Sequence, residues 1–208
     1  MIAEYLSNIF TVAAISVVMV VSPGQDFAMV TRSALVFSRK AAVLSALGIF
    51  FGIWVHVTYS LAGIAIVISK TPMLYNSIKY AGASYLLYLG IKGLLSKKEI
   101  TANNQKDNNG ISNFTAFRNG FLSNALNPKT TLFFLSIFTQ VIDKDTPLAI
   151  QFFYGVIIAI AHLVWFIIVA YFFSSKSFVK RFSAKKVIME RMMGGILVLF
   201  SAKIFIGS

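Results

Sequence analysis

Six long apolar stretches occupy nearly all of this chain, at 5–38, 41–68, 73–95, 114–142, 148–173 and 187–206. A helix needs about 20 apolar residues to cross a bilayer, and in lipid every backbone N–H and C=O must be satisfied within the spanning structure. The pattern predicts an all-α integral membrane protein of six transmembrane helices. Composition agrees, with 57% hydrophobic and 12% charged residues in 208, where a soluble domain carries about a quarter charged. The first stretch has no basic flank and no cleavage site leading into a soluble domain, so it reads as a retained span and not a signal peptide. The absence of cysteine excludes thiol redox chemistry and thiolate-based metal transport.

Nineteen Lys and Arg against seven Asp and Glu give a net charge of +12. Assigned to alternate faces of six spans, fourteen of them fall on one side and four on the other; the one left over, Lys129, lies inside the fourth apolar stretch and belongs to neither face. The positive-inside bias places the plasma membrane around the chain with both termini extracytoplasmic. It also accounts for the basic charge without nucleic acid. Phe178 and Phe182 stand among the basic residues of Lys176–Arg191. That pattern suits either a helix on an anionic lipid surface or a plain positive-inside loop.

Residues 96–113 form the one long polar stretch and read as a cytoplasmic linker. It separates a first three-helix unit, 1–95, from a second, 114–208. The two units share their anomalies. The first span of each is interrupted by a proline, Pro23 and Pro128, 105 residues apart. The second span of each carries one histidine, His56 and His162, 106 apart, followed three residues on by Tyr59 and Trp165. In the third, Gly82 and Gly90 are echoed by Gly194 and Ala202. Three spans per unit force the second copy to be inverted relative to the first, the layout of an alternating-access carrier.

Proline removes an N–H and pushes the preceding residue out of helical geometry. Ser22 and Asn127 are good N-cap residues, and proline is favoured at the first turn, so each break is expected to start a new half-helix. Two helix amino termini meeting at mid-depth would attract an anion such as a carboxylate. Asp26 lies in the first turn after one break, and Ser22 with Gln25 has capping-box spacing. Lys129 lies in the first turn after the other, where a cation opposes the dipole and costs about 2.5–3.5 kcal/mol at membrane depth. Asp26 is the acid available to compensate it, directly or through a bound zwitterion, the lesser alternative being an ion pair that only holds helices together. Substrate-binding candidates are therefore Ser22, Pro23, Gly24, Asp26, Asn127, Pro128 and Lys129.

The mid-span His56 and His162 are proton-relay candidates, as is Asp26, or else interhelical hydrogen-bonding residues. With no cysteine and no acid in their own spans they do not form a transition-metal site. Gly48 and Gly52 make a GxxxG step suited to helix packing. Such glycine-rich faces are also of the kind on which small bundles pair as homo-oligomers.

The run Met19-Val-Val-Ser-Pro-Gly-Gln-Asp-Phe-Ala-Met-Val-Thr-Arg-Ser-Ala-Leu, with Ala46-Leu-Gly-Ile-Phe-Phe-Gly-Ile-Trp-Val-His, Tyr80-Ala-Gly-Ala-Ser-Tyr-Leu-Leu-Tyr-Leu-Gly and Phe117-Arg-Asn-Gly-Phe-Leu-Ser-Asn-Ala-Leu-Asn-Pro-Lys, resembles the LysE/RhtB family of amino-acid exporters. Its Ser-Pro-Gly-x-Asp element looks nearest the threonine and homoserine efflux branch. The resemblance implies a bacterial plasma-membrane carrier that exports amino acids or close derivatives, coupled to the proton gradient and without an organic cofactor. Gln25 replaces the second proline of the family's Pro-Gly-Pro, which touches loop shape and substrate preference.

Other classes fit less well. A channel needs a continuous polar line that the spans lack. An enzyme needs an acid/base or nucleophile set, and none recurs. An exporter of another metabolite or cation, or a membrane scaffold without transport, remains an alternative, though a scaffold leaves two breaks at mid-membrane unexplained.

Overall fold

The computed structural model describes residues 2–70, 72–96, 110–142 and 146–206. Among the described residues every regular element is helical: α1 (Ile2–Val21), α2 (Gln25–Arg32), α3 (Arg39–Lys70), α4 (Pro72–Leu94), α5 (Asn113–Ala125), α6 (Pro128–Val141), α7 (Leu148–Phe172) and α8 (Lys176–Ile206). A π-helical turn, Ser33–Phe37, prolongs α2 and was not foreseen. Most of the polar linker, 97–109, lies outside the described residues.

Arg39–Ala62 and Leu148–Phe172 are each long and apolar enough to cross a bilayer. Tyr5–Val21 and Gln25–Phe37 make a third crossing if taken as one span bent by 55°. An apolar, multi-helix membrane protein follows. The remaining elements are less apolar for clear reasons. Helix α5 carries Arg118, Asn119 and Asn124, and α8 runs without interruption from the basic segment into the last apolar stretch. Within Lys176–Arg191, read as a lipid-surface helix or a plain positive-inside loop, the side chains at 176–184 and 186 lie outside the described residues.

Both expected breaks are present, but their caps differ. Asn127 caps α6 as its residue type predicts, its side chain accepting from the Lys129 amide at 3.0 Å, with Pro128 in the first turn. Ser22 does not cap α2. Its backbone still closes α1 by donating to the Val18 carbonyl, Pro23 sits in the link, and Gly24 in extended backbone precedes Gln25 without any side-chain cap. The expected Ser22–Gln25 capping box is therefore not formed.

Glycines set how closely the helices approach. A Cβ on Gly48 would lie 2.0 Å from the Phe117 carbonyl oxygen, and one on Gly120 2.0 Å from that of Ser45, so α3 and α5 meet backbone to backbone. Gly52 faces Asn124 across the same seam. Gly90, Gly93 and Gly194 do the same between α4 and α8. The GxxxG step is thus a packing device. One apolar core gathers Ile53, Leu86, Phe133, Phe134, Phe138 and Ile158, and a second gathers Val30, Ile49, Phe166 and Phe173.

The helix contacts largely match when the two halves are exchanged. Helix α3 packs on α5 and α6 as α7 packs on α1 and α2, while α3 with α7 and α4 with α8 pair across the halves. One pairing has no equal counterpart among the described residues: α4 packs closely on α6, whereas α8 makes no comparable contact with α2.

Candidate functional site

Each proline leaves one carbonyl without its helical partner, since the missing N–H would have bonded the residue four positions back. For Pro23 that carbonyl is Met19, and for Pro128 it is Asn124. Side chains from elsewhere answer both. Lys129 Nζ donates to the Met19 carbonyl at 3.3 Å and to that of Ser22 at 2.8 Å. His56 Nε2 donates to the Asn124 carbonyl at 2.9 Å, which also accepts from the Asn127 amide. Because a carbonyl only accepts, His56 carries a proton on Nε2, and its Nδ1 is hydrogen-bonded to the Tyr59 hydroxyl at 2.8 Å.

Asp26, 5% exposed, is held on three sides. Ser123 Oγ donates to Oδ1 at 3.0 Å, while Asn124 Nδ2 and Asn127 Nδ2 donate to Oδ2 at 2.8 and 3.1 Å. Asn127 thus bridges the two breaks, capping α6 with its oxygen and holding Asp26 with its nitrogen.

Asp26 and Lys129 do not form the direct ion pair that was one expectation. Lys129 opposes the dipole of α6 but sits against the carboxyl end of α1, whose unpaired carbonyls carry the partial negative charge that suits an ammonium. Its stem crosses Gly24, where a Cβ would lie 3.4 Å from Cδ and Nζ. Both charges line one narrow cleft together with Met19, Ser22, Gly24, Gln25, Asn127 and His162.

A larger cavity of about 860 Å³ adjoins this cleft, where α8 stands away from α2. Ser22, Pro23, Gly24, Gln25 and Lys129 form its polar floor, and Tyr85, Tyr88, Leu89 and Leu197 its wall. Ser96 and Glu190 lie at its rim, where Ser96 Oγ donates to the Glu190 carboxylate. Gln25, in place of the expected proline, is exposed beside this cavity.

Of the sequence candidates, Ser22, Gly24, Asp26, Asn127, Lys129 and His162 come together around the cleft, and Pro23 lines the cavity. Pro128 acts through the carbonyl it frees, and His56 through Asn124. Ser123, Asn124 and the Met19 carbonyl were not singled out by sequence. The last two were legible in principle, because each stands four residues before a break proline.

Opposite charges at two helix breaks, Asp26 buried and Lys129 half-buried, beside a cavity in an apolar bundle, point to a membrane solute translocator and not an enzyme. The chain belongs to the family of LysE type translocators, which it matches over residues 17–208. It is 31% identical over 198 residues to an uncharacterized membrane protein of Bacillus subtilis, covering 91% of this chain and 94% of that one. It is 31% identical over 167 residues to the threonine efflux protein of Escherichia coli strain K12, covering 79% and 81%. It is 29% identical over 211 residues to the leucine efflux protein of Salmonella choleraesuis, covering 98% of each chain. No solved structure matches it.

Proposed function

We propose that this protein exports amino acids across the plasma membrane by proton-coupled alternating access. It is built as six spans in two inverted three-helix repeats, 1–95 and 114–208, joined by a cytoplasmic linker, with both termini outside. The observation that carries the reading is the pairing of Lys129 and Asp26 on one cleft, opening into the 860 Å³ cavity. Lys129 and the amino-terminal ends of α2 and α6 receive the carboxylate, and Asp26 faces the ammonium. The names of the threonine and leucine efflux relatives support an amino-acid substrate.

The unequal contacts support alternating access. In this conformation α4 closes on α6 while α8 stands off α2, and the cavity lies on the side of Ser96, which leads into the cytoplasmic linker. The structure is therefore read as open to the cytoplasm. In the opposite state α8 closes on α2 and α4 parts from α6.

Export from cells lacking their own amino-acid exporters, loaded by dipeptide feeding, tests the reading. Threonine, homoserine, leucine or lysine is expected to leave faster with the wild type than with Lys129→Met, and collapsing the proton gradient is expected to remove the difference. If none of the four moves faster than in empty cells, amino-acid export is refuted.

A further inference from the structure

His162 occupies in the second half the place of His56 in the first, but it is wired differently. Both ring nitrogens of His56 are engaged, one on the carbonyl freed by Pro128 and one on Tyr59. For His162 the corresponding carbonyl, Met19, is already taken by Lys129. His162 Nδ1 instead donates to the Ile158 carbonyl of its own helix at 2.8 Å. A neutral ring with its proton on Nδ1 leaves a lone pair on Nε2, and among the described residues Nε2 has no hydrogen-bond partner. The side chain is 1% exposed and lines the cleft shared by Asp26 and Lys129.

That cleft holds about 10 Å³, the space of one water-sized or ammonium-sized group. Asp26 offers about four acceptor positions as a carboxylate, and Ser123, Asn124 and Asn127 fill three. The titratable groups acting on His162 are Asp26 from α2, Lys129 from α6 and His56 from α3.

We propose that the Nε2 lone pair of His162 is the position for which proton and substrate compete, a deepening that rests on the amino-acid export reading. With the lone pair free, Nε2 and the remaining Asp26 position accept N–H bonds from the substrate ammonium. With a proton on Nε2, the imidazolium takes Asp26 and repels the ammonium. A proton taken up on the outer side is released to the cytoplasm when substrate binds, so the two are exchanged in opposite directions. Asp26 is held by its three fixed donors, and His56 is a positioning residue for the α5 break.

His162→Gln keeps an acceptor near Nε2 but cannot titrate, and His162→Asn keeps a donor for Ile158 while removing Nε2. Purified protein in weakly buffered detergent is mixed with L-leucine or L-threonine, whichever the wild type exports, and with its N-acetyl derivative, which has no ammonium. Wild type is expected to release protons on binding the amino acid and not on meeting the N-acetyl compound. His162→Gln is expected to bind with no release. In proteoliposomes it is expected to keep substrate-for-substrate exchange while losing gradient-driven accumulation at least tenfold, and His162→Asn is expected to lose both.

Proton release by His162→Gln equal to wild type overturns the proposal, as does wild-type release on the N-acetyl derivative. If the glutamine variant elutes aggregated, wild-type affinity decides instead. Affinity that fails to rise with pH for the amino acid, or that rises equally for the N-acetyl compound, overturns it. A wild type that moves none of threonine, homoserine, leucine and lysine refutes the export reading itself, which is a separate result.

Discussion

Replacing Asp26 with Asn and with Leu separates the charge of this residue from its hydrogen bonds. Three neutral donors converge on the carboxylate, at 3.0, 2.8 and 3.1 Å. An asparagine can turn its oxygen toward Asn124 and Asn127 and donate its amide to Ser123 Oγ, so all three bonds survive without charge. Hydrogen bonds to an ionised group are about twice as strong as neutral ones worth about 1 kcal/mol, so the loss is about 1 kcal/mol per bond and about 3 kcal/mol in all. Leucine loses every bond and leaves buried donors unanswered, about 6 kcal/mol on the same scale. At about 2–4 °C per kcal/mol for a chain of this size, Asp26→Asn is expected to lower the melting temperature by about 6–12 °C and Asp26→Leu by about twice that. Size-exclusion thermal shift in detergent measures both, and transport is expected to vanish in each. Equal melting temperatures for the two variants would refute the hydrogen-bond reasoning, and full transport by Asp26→Asn would refute any role for the charge.

Other substitutions probe the packing, the gate and the loop. Gly48→Ala brings a methyl to 2.0 Å from the Phe117 carbonyl and is expected to cost about 1–3 kcal/mol by overpacking. Gly195→Ala, whose Cβ meets only Leu94 at 4.0 Å, is expected to be neutral or to stabilise by up to about 1 kcal/mol through helix propensity; thermal shift compares the two. Gly82→Val places side-chain atoms against Ser136, whose Cα lies 2.8 Å from the Cβ position, and so opposes the α4–α6 closure. Because the chain has no cysteine, a single Tyr88→Cys in the cavity wall reports the result in inside-out vesicles, where Gly82→Val is expected to slow labelling by an impermeant thiol reagent severalfold. Gln25→Pro is expected to fold normally, since position 25 opens α2 and Gly24 is already extended, at φ −162°. It removes an exposed amide from beside the cavity, and competition between threonine and leucine export is expected to shift.

The sequence by itself determined that this chain is helical and lives in a membrane. Long apolar stretches leave the backbone no other way to satisfy itself in lipid. It also determined where the helices break, because Pro23 and Pro128 cannot donate to the turns before them, and it marked Asp26 and Lys129 as charges at those breaks. Asn127 was legible as a cap because its chemistry is local to the next residues of its own helix. Ser22 misled for the same reason, since its capping potential was visible but its use depended on where α2 would start. What Lys129 binds was decided only by tertiary structure. The carbonyls of Met19 and Ser22 lie more than a hundred residues away in sequence, and only the docking of α6 against the end of α1 brings them within reach. The different fates of His56 and His162 arise likewise. The two occupy matching places in the sequence, and they part because Lys129 has taken the carbonyl that the second would otherwise hold.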